Sequence, residues 1–449
     1  MKVNFRFSLA ILLFCFSQCL FAQKAWTLDD CIAFALENNL QLNDFKYNEA
    51  SGKETFQQSK RDLLPRIRGV ADYSIRFGRS VDPNDNSISN TQFFSNNYSL
   101  ESSLDIFQGF QKINAIRAAK LIYNATKEEA LQQKYLLAFR IMEAFYDIQF
   151  FEGALAIAKE QVDISKTNYE LVKKQIDLGL MAGADLYEAE ALLLSDELSV
   201  TQANNQLIAA KLVLIQAMNL KDETDITIVA EELAPISKEY SNKVQSDSIY
   251  TKAKEFMPSI KAGELRERAA RKQLAVERGS LYPSLNIFGG YGTGYFETII
   301  DQAGNTVPFR DQLRDNTFQF VGVQLTVPIS DGWTVRSRIK QQKIEQLRAK
   351  NNLATQEQEL FQTIQSLVQE HSALNQEYTQ TLRNLDAQKL TFAVAQKRYE
   401  KGMINAIELF TAKNLFATAQ NQNLQARLRL EVNKANLDFY NGLPVFNIN

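Results

Sequence analysis

The segment Leu100–Ala119, LESSLDIFQGFQKINAIRAA, changes its period midway. Leu100, Ser102, Leu104 and Ile106 fall on one side and Glu101, Ser103 and Asp105 on the other, the alternation of a strand with two unlike faces. Gly109 interrupts it, and from Phe110 onward Ile113 and Ile116 recur at helical spacing. Few folds pass straight from a strand into a very long helix. This chain does so twice: Val321–Lys340, VGVQLTVPISDGWTVRSRIK, answers Ile106, Gly109 and Phe110 with Ile329, Gly332 and Trp333.

The helices that follow are long. Between Gly109 and about Leu178 there is no proline and only one glycine, Gly153, while Leu131, Tyr135, Phe139, Met142, Tyr146 and Phe150 keep helical spacing. Roughly 70 residues at 1.5 Å each give a helix of ~100 Å, far beyond the globular average and suited to coiled-coil-like packing. A glycine-rich tip at 178–183, LGLMAG, ends it, and a further helix runs from Ala184 to about Asn219. After Gly332 the pattern returns. Leu360, Ile364, Leu367, His371, Leu374, Tyr378, Leu382 and Leu385 form a near-heptad seam, a second tip lies at 401–405, and a last helix reaches about Tyr440.

Strands precede each long helix. Trp26–Asp62 predicts one helix, with Thr27 as N-cap and Asp29 and Asp30 in the first turn; Pro65 ends it. Residues 66–77 then alternate, with Ile67, Gly69, Ala71, Tyr73, Ile75 and Phe77 on one face and Arg66, Arg68, Asp72, Ser74 and Arg76 on the other. That length and pattern suit a transmembrane barrel strand. A polar loop around Pro83 leads to a return strand at 97–107. The series restarts with a helix over Asp247–Ser280, Pro283 answering Pro65, strands at 284–296 and 317–329, and a second long loop between them. In the strand at 284–296, Leu285, Ile287, Tyr291 and Tyr295 share one face. The first helices match at an offset of about 218 and the tips at 223, pairing Gly179 with Gly402, Asp185 with Glu408, Leu186 with Leu409 and Tyr187 with Phe410. The chain thus reads as a tandem duplication: a first repeat over 23–230, a linker at 231–246 within a mixed polar stretch holding a short ITIV strand candidate, and a second repeat over 247–449.

The formal charge is −2, and no basic run or patch suggests nucleic acid. Lys2 and Arg6 precede the apolar run Leu9–Phe16, and Leu20-Phe21-Ala22 ends in a small residue, so residues 1–22 read as a secretory signal peptide. Its removal leaves a charge of about −4 and Cys31 as the single cysteine, which excludes an internal disulfide. Gln18 before Cys19 fits a lipidated N-terminus poorly. No interior stretch approaches the ~20 apolar residues of a spanning helix.

Four membrane strands leave a sheet with open edges, which lipid does not satisfy, and barrels need eight or more. The expected fold is therefore α plus transmembrane β, with several copies giving four strands each; a homotrimer gives a 12-stranded β-barrel wide enough for an aqueous lumen, continued by a long α-helical coiled-coil barrel. Both long loops lie at the end of the sheet away from the helices, so the helices leave from one side.

The paired starts Leu63-Leu64-Pro65 and Leu281-Tyr282-Pro283, the junctions DIFQGF and VPISDGW, and the tips followed by ADLYEAE and IELFTAK, duplicated and in order, resemble the TolC-like outer-membrane efflux proteins over essentially the whole mature chain. The resemblance implies a trimeric conduit through the outer membrane and periplasm, with a periplasmic adaptor protein and an inner-membrane pump of RND or ABC type as partners. The alternatives are the exit duct of a type I protein secretion system and a non-conducting structural spacer. By the same resemblance the adaptor-contacting tips fall on Leu178, Gly179 and Leu180 and on Lys401, Gly402 and Met403. Some members carry acids just before the second tip. Here Leu390–Tyr399 has none and Ala393 and Gln396 stand there instead, so the candidates for acids at the periplasmic mouth are the nearby Asp177, Asp185, Glu400 and Glu408, which read equally as solvated tip charges.

Sites for chemistry are sparse. His371, the one histidine, lies on an apolar seam and reads as a register-setting or lumen-facing side chain rather than a metal ligand. Gly289-Gly290-Tyr291-Gly292-Thr293-Gly294 has GxG spacing but no helix after it, so it fails as a phosphate loop and reads as barrel wall. Arg66, Arg68, Asp72, Arg76, Glu101 and Asp105 face away from lipid and read as lining a hydrated lumen. No catalytic residue, metal or cofactor is expected, and the chain is not expected to be an enzyme.

Overall fold

The structure, a computed structural model, describes residues 25–81, 86–90, 92–179, 182–221, 223–230, 246–446 and 448. The signal-peptide reading of 1–22, the tip residue Leu180 and nearly all of the linker at 231–246 lie outside the described residues.

In chain order the elements are β1 (Ala25–Trp26), α1 (Leu28–Asn38), α2 (Leu40–Arg61), β2 (Arg66–Arg76), β3 (Arg79–Val81), β4 (Ile88–Asn90), β5 (Phe93–Gln108), α3 (Gln111–Asp177) and α4 (Gly183–Met218). They continue as β6 (Thr227–Ile228), α5 (Ser246–Phe256), α6 (Pro258–Gly279), β7 (Ser284–Phe296), α7 (Phe309–Asp315), β8 (Phe318–Thr326), α8 (Thr334–Glu400) and α9 (Ala406–Tyr440). The two long helices α3 and α8 have 67 residues each and begin and end 223 positions apart. Among the described residues no helix is long and apolar enough to cross a membrane. The chain forms two compact units, one from the described parts of Met1–Lys46, Glu129–Ile260 and Gln356–Asn449, the other from Tyr47–Glu128 and Lys261–Thr355.

The first unit is helical. Its core takes Ala138, Ile141, Met142, Phe145 and Ile148 of α3, with Leu214 and Met218 of α4 and Leu428, Leu430 and Leu437 of α9. Of the six residues expected to mark the apolar stripe of α3, only Met142 is fully buried. The buried face is broader than one stripe and centres a residue away, because α3 packs on more than one neighbour. Phe439 collects Tyr135 and Phe139, ring centroids 4.9 Å away in each case, and Phe256 at 5.9 Å. Gly153 is where a Cβ would lie 2.4 Å from the Leu424 side chain, so the lone glycine of α3 admits α9.

Both helices expected before the strands are broken. At 26–62 the break is Asn39, extended at φ −68° and ψ 120°, whose Oδ1 accepts from the Leu42 amide at 3.1 Å and whose Nδ2 donates to the Ala217 carbonyl at 3.0 Å. Buried asparagine favours a cap over a helix interior. At 247–280 the break is Met257, because Pro258 brings no amide proton and takes the first position of α6. The Thr27 cap is present, with the Asp30 amide donating to Thr27 Oγ1 at 3.2 Å. The ITIV candidate reduces to β6, which pairs in parallel with β1 through Trp26 and Ile228.

The second unit holds a four-stranded sheet in the order β2-β5-β7-β8, every neighbour antiparallel. β5 starts four residues earlier than expected and carries a bulge at Ile106, which brings Phe107 rather than Ile106 opposite Leu285. β8 stops at Thr326, three residues short of the expected Ile329, as Pro328 cannot donate to a ladder. The two long loops are partly ordered. β3 pairs with β4 in the first, and α7 sits in the second, held by buried Gln312, whose Nε2 donates to the carbonyls of Phe296 and Val307 at 3.0 and 2.9 Å.

Candidate functional site

Two regions carry the candidate residues: the faces of the sheet and the helix tips. In an antiparallel sheet directly paired residues share a face, so the register sorts the side chains. One row runs Ile67, Ser102, Gly289, Val321, and the next on that side runs Gly69, Leu100, Tyr291, Gln319. With Tyr73, Leu104, Ile287, Val323 and Leu325 they make an exposed face that is largely apolar; Val321 is 86% exposed. An apolar face this broad is what a membrane or a partner covers.

The opposite face carries the six residues read as lumen-lining. Arg66 pairs with Ser103, Arg68 with Glu101 and Asp72 with Asn97. The Arg68 guanidinium donates to Glu101 Oε2 at 2.6 Å, and the Arg76 guanidinium lies 5.8 Å from the centre of the Phe93 ring. Asp105 sits deeper: Asn286 Nδ2 donates to it at 2.8 Å and Lys112 Nζ lies 3.0 Å away. On β7 and β8 this face turns aromatic, with Phe288, Phe318 and Phe320 upon it.

At the first tip α3 ends on Asp177, and Gly179 adopts φ +73° with its amide donating to the Ile176 carbonyl at 2.8 Å. Ala182 is the N-cap residue of α4, its amide donating to Asp185 Oδ2 at 3.2 Å. At the second tip Gly402 adopts φ +69°. Its amide donates to the Tyr399 carbonyl at 2.8 Å and that of Met403 to the Arg398 carbonyl at 2.9 Å, a complete glycine C-cap. Asn405 caps α9, accepting from the Glu408 amide at 2.8 Å. A Cβ on either glycine would meet nothing within 4 Å, so the backbone turn and not crowding calls for glycine. Leu178 is 73% and Met403 62% exposed, and Lys401, Asp177, Glu400 and Glu408 are exposed as well. Asp185 is half-buried in its capping role. Behind the tips Val172, Ala189, Phe392, Tyr399, Leu409, Ala412 and Phe416 form one cluster, with the Phe392 and Phe416 rings stacked at 5.8 Å.

Residues set aside as structural sit inside the helical unit. Cys31 is fully buried, and His371 Nδ1 lies 3.1 Å from Asn433 Oδ1. Sequence reading missed a buried cluster in which Lys413 Nζ bonds Ser165 Oγ at 2.6 Å and the Asp196 carboxylate, while Ser165 donates to the same carboxylate.

Comparison with known proteins agrees with this layout. The chain matches the outer membrane efflux protein family over residues 32–220 and 249–443. It is 21% identical to the cation efflux system protein CusC of Escherichia coli O157:H7 over 392 residues, covering 87% of this chain and 80% of that one. It is 23% identical to the outer membrane protein TolC of Vibrio cholerae over 322 residues, 71% of this chain and 68% of that one. A crystal structure of CusC superposes with a TM-score of 0.77 at 17% identity, covering 95% of this chain and 96% of that one, and so has the same fold. With both halves of the chain matched, this protein belongs to the outer membrane efflux protein family.

Proposed function

We propose that this chain is one third of a passive trimeric conduit that carries solutes from a periplasmic adaptor and inner-membrane pump across the outer membrane. The observation that carries this reading is the open four-stranded sheet. β2 and β8 are its edges, one face is apolar and the other carries the charged side chains of β2 and β5. Unpaired edges are not tolerated in lipid, and joining β8 of one copy to β2 of the next satisfies both. Three copies supply twelve strands around a lumen lined by Arg66, Arg68, Asp72, Arg76, Glu101 and Asp105. The long helices then continue the tube for ~100 Å into the periplasm.

In this reading the chain is two structural repeats, 23–230 and 247–449, joined by a linker after removal of a signal peptide at 1–22. The tips at Leu178, Gly179 and Leu180 and at Lys401, Gly402 and Met403 meet the adaptor. Asp177, Glu400 and Glu408 are the acids assigned to the mouth, since the Asp185 carboxylate is engaged at the start of α4. The protein performs no catalysis and takes no cofactor.

Purified protein in planar lipid bilayers, cross-linked in parallel, tests the reading. A conduit gives discrete conductance steps and a cross-linked trimer. A trimer without current makes the protein a spacer, and a monomer removes the reading altogether. Deletion of the gene in its host separates efflux, where dyes accumulate, from a secretion duct, where an exported protein is lost.

A further inference from the structure

The charged face of the sheet is not charged throughout. Its rows run Arg66–Ser103–Phe288–Gly322, Arg68–Glu101–Gly290–Phe320 and Val70–Ser99–Gly292–Phe318. The side that is polar on β2 and β5 is therefore aromatic on β7 and β8. Each ring lies over a glycine of the neighbouring strand. A Cβ at Gly322 would stand 2.6 Å from the Phe288 ring, at Gly290 2.8 Å from Phe320, and at Gly292 2.5 Å from Phe318. The rings neighbour one another, Phe318 near-parallel to Phe320 at 6.4 Å and Phe288 tilted by 54° to Phe320 at 6.1 Å. Phe318 is still 53% and Phe320 39% exposed.

We infer that Phe288, Phe318 and Phe320 are a selectivity surface for solutes with a flat aromatic body, of either charge. The inference rests on the conduit reading, which makes this face the lumen. Two features favour that occupant. The six ionisable side chains of the face are three arginines and three carboxylates, and Arg68 and Glu101 neutralise each other in the row that holds Phe320, so charge sign cannot discriminate. Each ring is seated against a glycine of the neighbouring strand, so a stacking solute need not immobilise it first. A packing role for the rings over glycine accounts for their seats, yet Phe318 keeps 53% of its surface exposed in the protomer.

The test is current block in planar bilayers by methyl viologen and naphthalenedisulfonate, flat ions of opposite charge, against the aliphatic ions hexamethonium and butanedisulfonate. Both aromatic ions are expected to block at lower concentration than their aliphatic counterparts. In a Phe318→Ser/Phe320→Ser variant the half-blocking concentrations of the aromatic ions should rise about two- to tenfold per ring, with the aliphatic ions and salt conductance unchanged. If the double variant assembles no channel, each single replacement carries the same comparison. Channels that conduct but block equally in wild type and variant overturn this inference alone. Protein that passes no current overturns the conduit and this inference with it.

Discussion

Lys413 of α9 and Asp196 of α4 form an ion pair closed off from solvent, their side chains 2% and 8% exposed, with Ser165 of α3 bonded to both. One charged cluster thereby joins three helices of the helical unit. Burial pulls the Lys413 ammonium below its ordinary pKa, and its bond to Asp196 only partly opposes that. Breaking such a pair leaves a lone buried charge, which costs about 3–5 kcal/mol, whereas replacing both partners by apolar residues is often neutral. Lys413→Met should therefore lower the apparent melting midpoint of the helical signal, and Lys413→Met/Asp196→Leu should recover most of it. Equal loss in the single and double variants would mean that the pair stabilises rather than merely neutralises.

Glu143 and Asp147, one helical turn apart on α3 and both still exposed, are raised above the ordinary carboxylate values, Glu143 by partial desolvation and then by the charge of Asp147, Asp147 by partial desolvation. Raised folded-state values mean that the folded protein binds protons more tightly than the unfolded chain. Their contribution is full at low pH and is lost as pH rises from the ordinary values near 4 through the raised ones. Asp225, lowered chiefly by the bond from Lys211, works in the opposite sense, so the informative quantity is a difference. Melting midpoints of wild type and of Glu143→Gln/Asp147→Asn should converge toward low pH, with the variant the more stable above the ordinary carboxylate range.

The tips make a third prediction. Gly179 and Gly402 hold φ +73° and +69° in open surroundings. A β-branched side chain costs roughly 1–2 kcal/mol in that conformation without displacing any neighbour. Gly179→Val and Gly402→Val should leave the trimer intact on a non-reducing gel and cut efflux of a fluorescent dye at least several-fold. Full efflux in both would remove the tips from the adaptor contact.

Much of this geometry was legible because the signals are local. The two-residue alternation before Gly109 and Gly332 and the long proline-free stretches after them follow from the repeat lengths of strand and helix. Less was legible where a distant partner decides the outcome. Asn39 breaks a helix because Ala217 accepts its amide, and Trp26 is a strand residue because Ile228 lies beside it. Lys413 and Asp196 are 217 positions apart in helices of mixed polarity, and neither looks buried in one dimension. Phe318 and Phe320 read as ordinary strand residues until the register sets them over glycines.

The two faces of the sheet should respond oppositely to charge. Tyr73 and Leu104 lie on the apolar face and Asp72 on the other. A charge added to the lipid side of a barrel strand costs up to ~2–4 kcal/mol near the midplane, and somewhat less for a carboxylate. Tyr73→Asp and Leu104→Asp should reduce the heat-stable trimer recovered from membranes, while Asp72→Ser should not. The reverse pattern would exchange the assignment of the faces.

The last prediction separates two positions that the sequence treats alike. Gly109 and Gly332 occupy equivalent junctions with φ +56° and +61°, each followed by an aromatic residue that also has positive φ, Phe110 and Trp333. A Cβ on Gly109 would lie 2.2 Å from the backbone oxygen of Gly279 at the end of α6; one on Gly332 would meet nothing within 4 Å. The difference follows from position. β5 is flanked inside the sheet by β7, whereas β8 is an edge. The counterpart of Gly279 in the first repeat is Arg61, at the end of α2, which leads into the other edge strand, β2. Closing the barrel with identical copies brings the Arg61 turn of a neighbour to Gly332. Gly109→Ala should then damage the protomer itself, with roughly 2–5 kcal/mol from left-handed strain and overlap together. Gly332→Ala should cost the protomer only the left-handed strain of roughly 1–2 kcal/mol, read by helical signal in detergent, and lower the yield of cross-linked trimer. A trimer yield untouched by Gly332→Ala would place something other than a second copy against that edge.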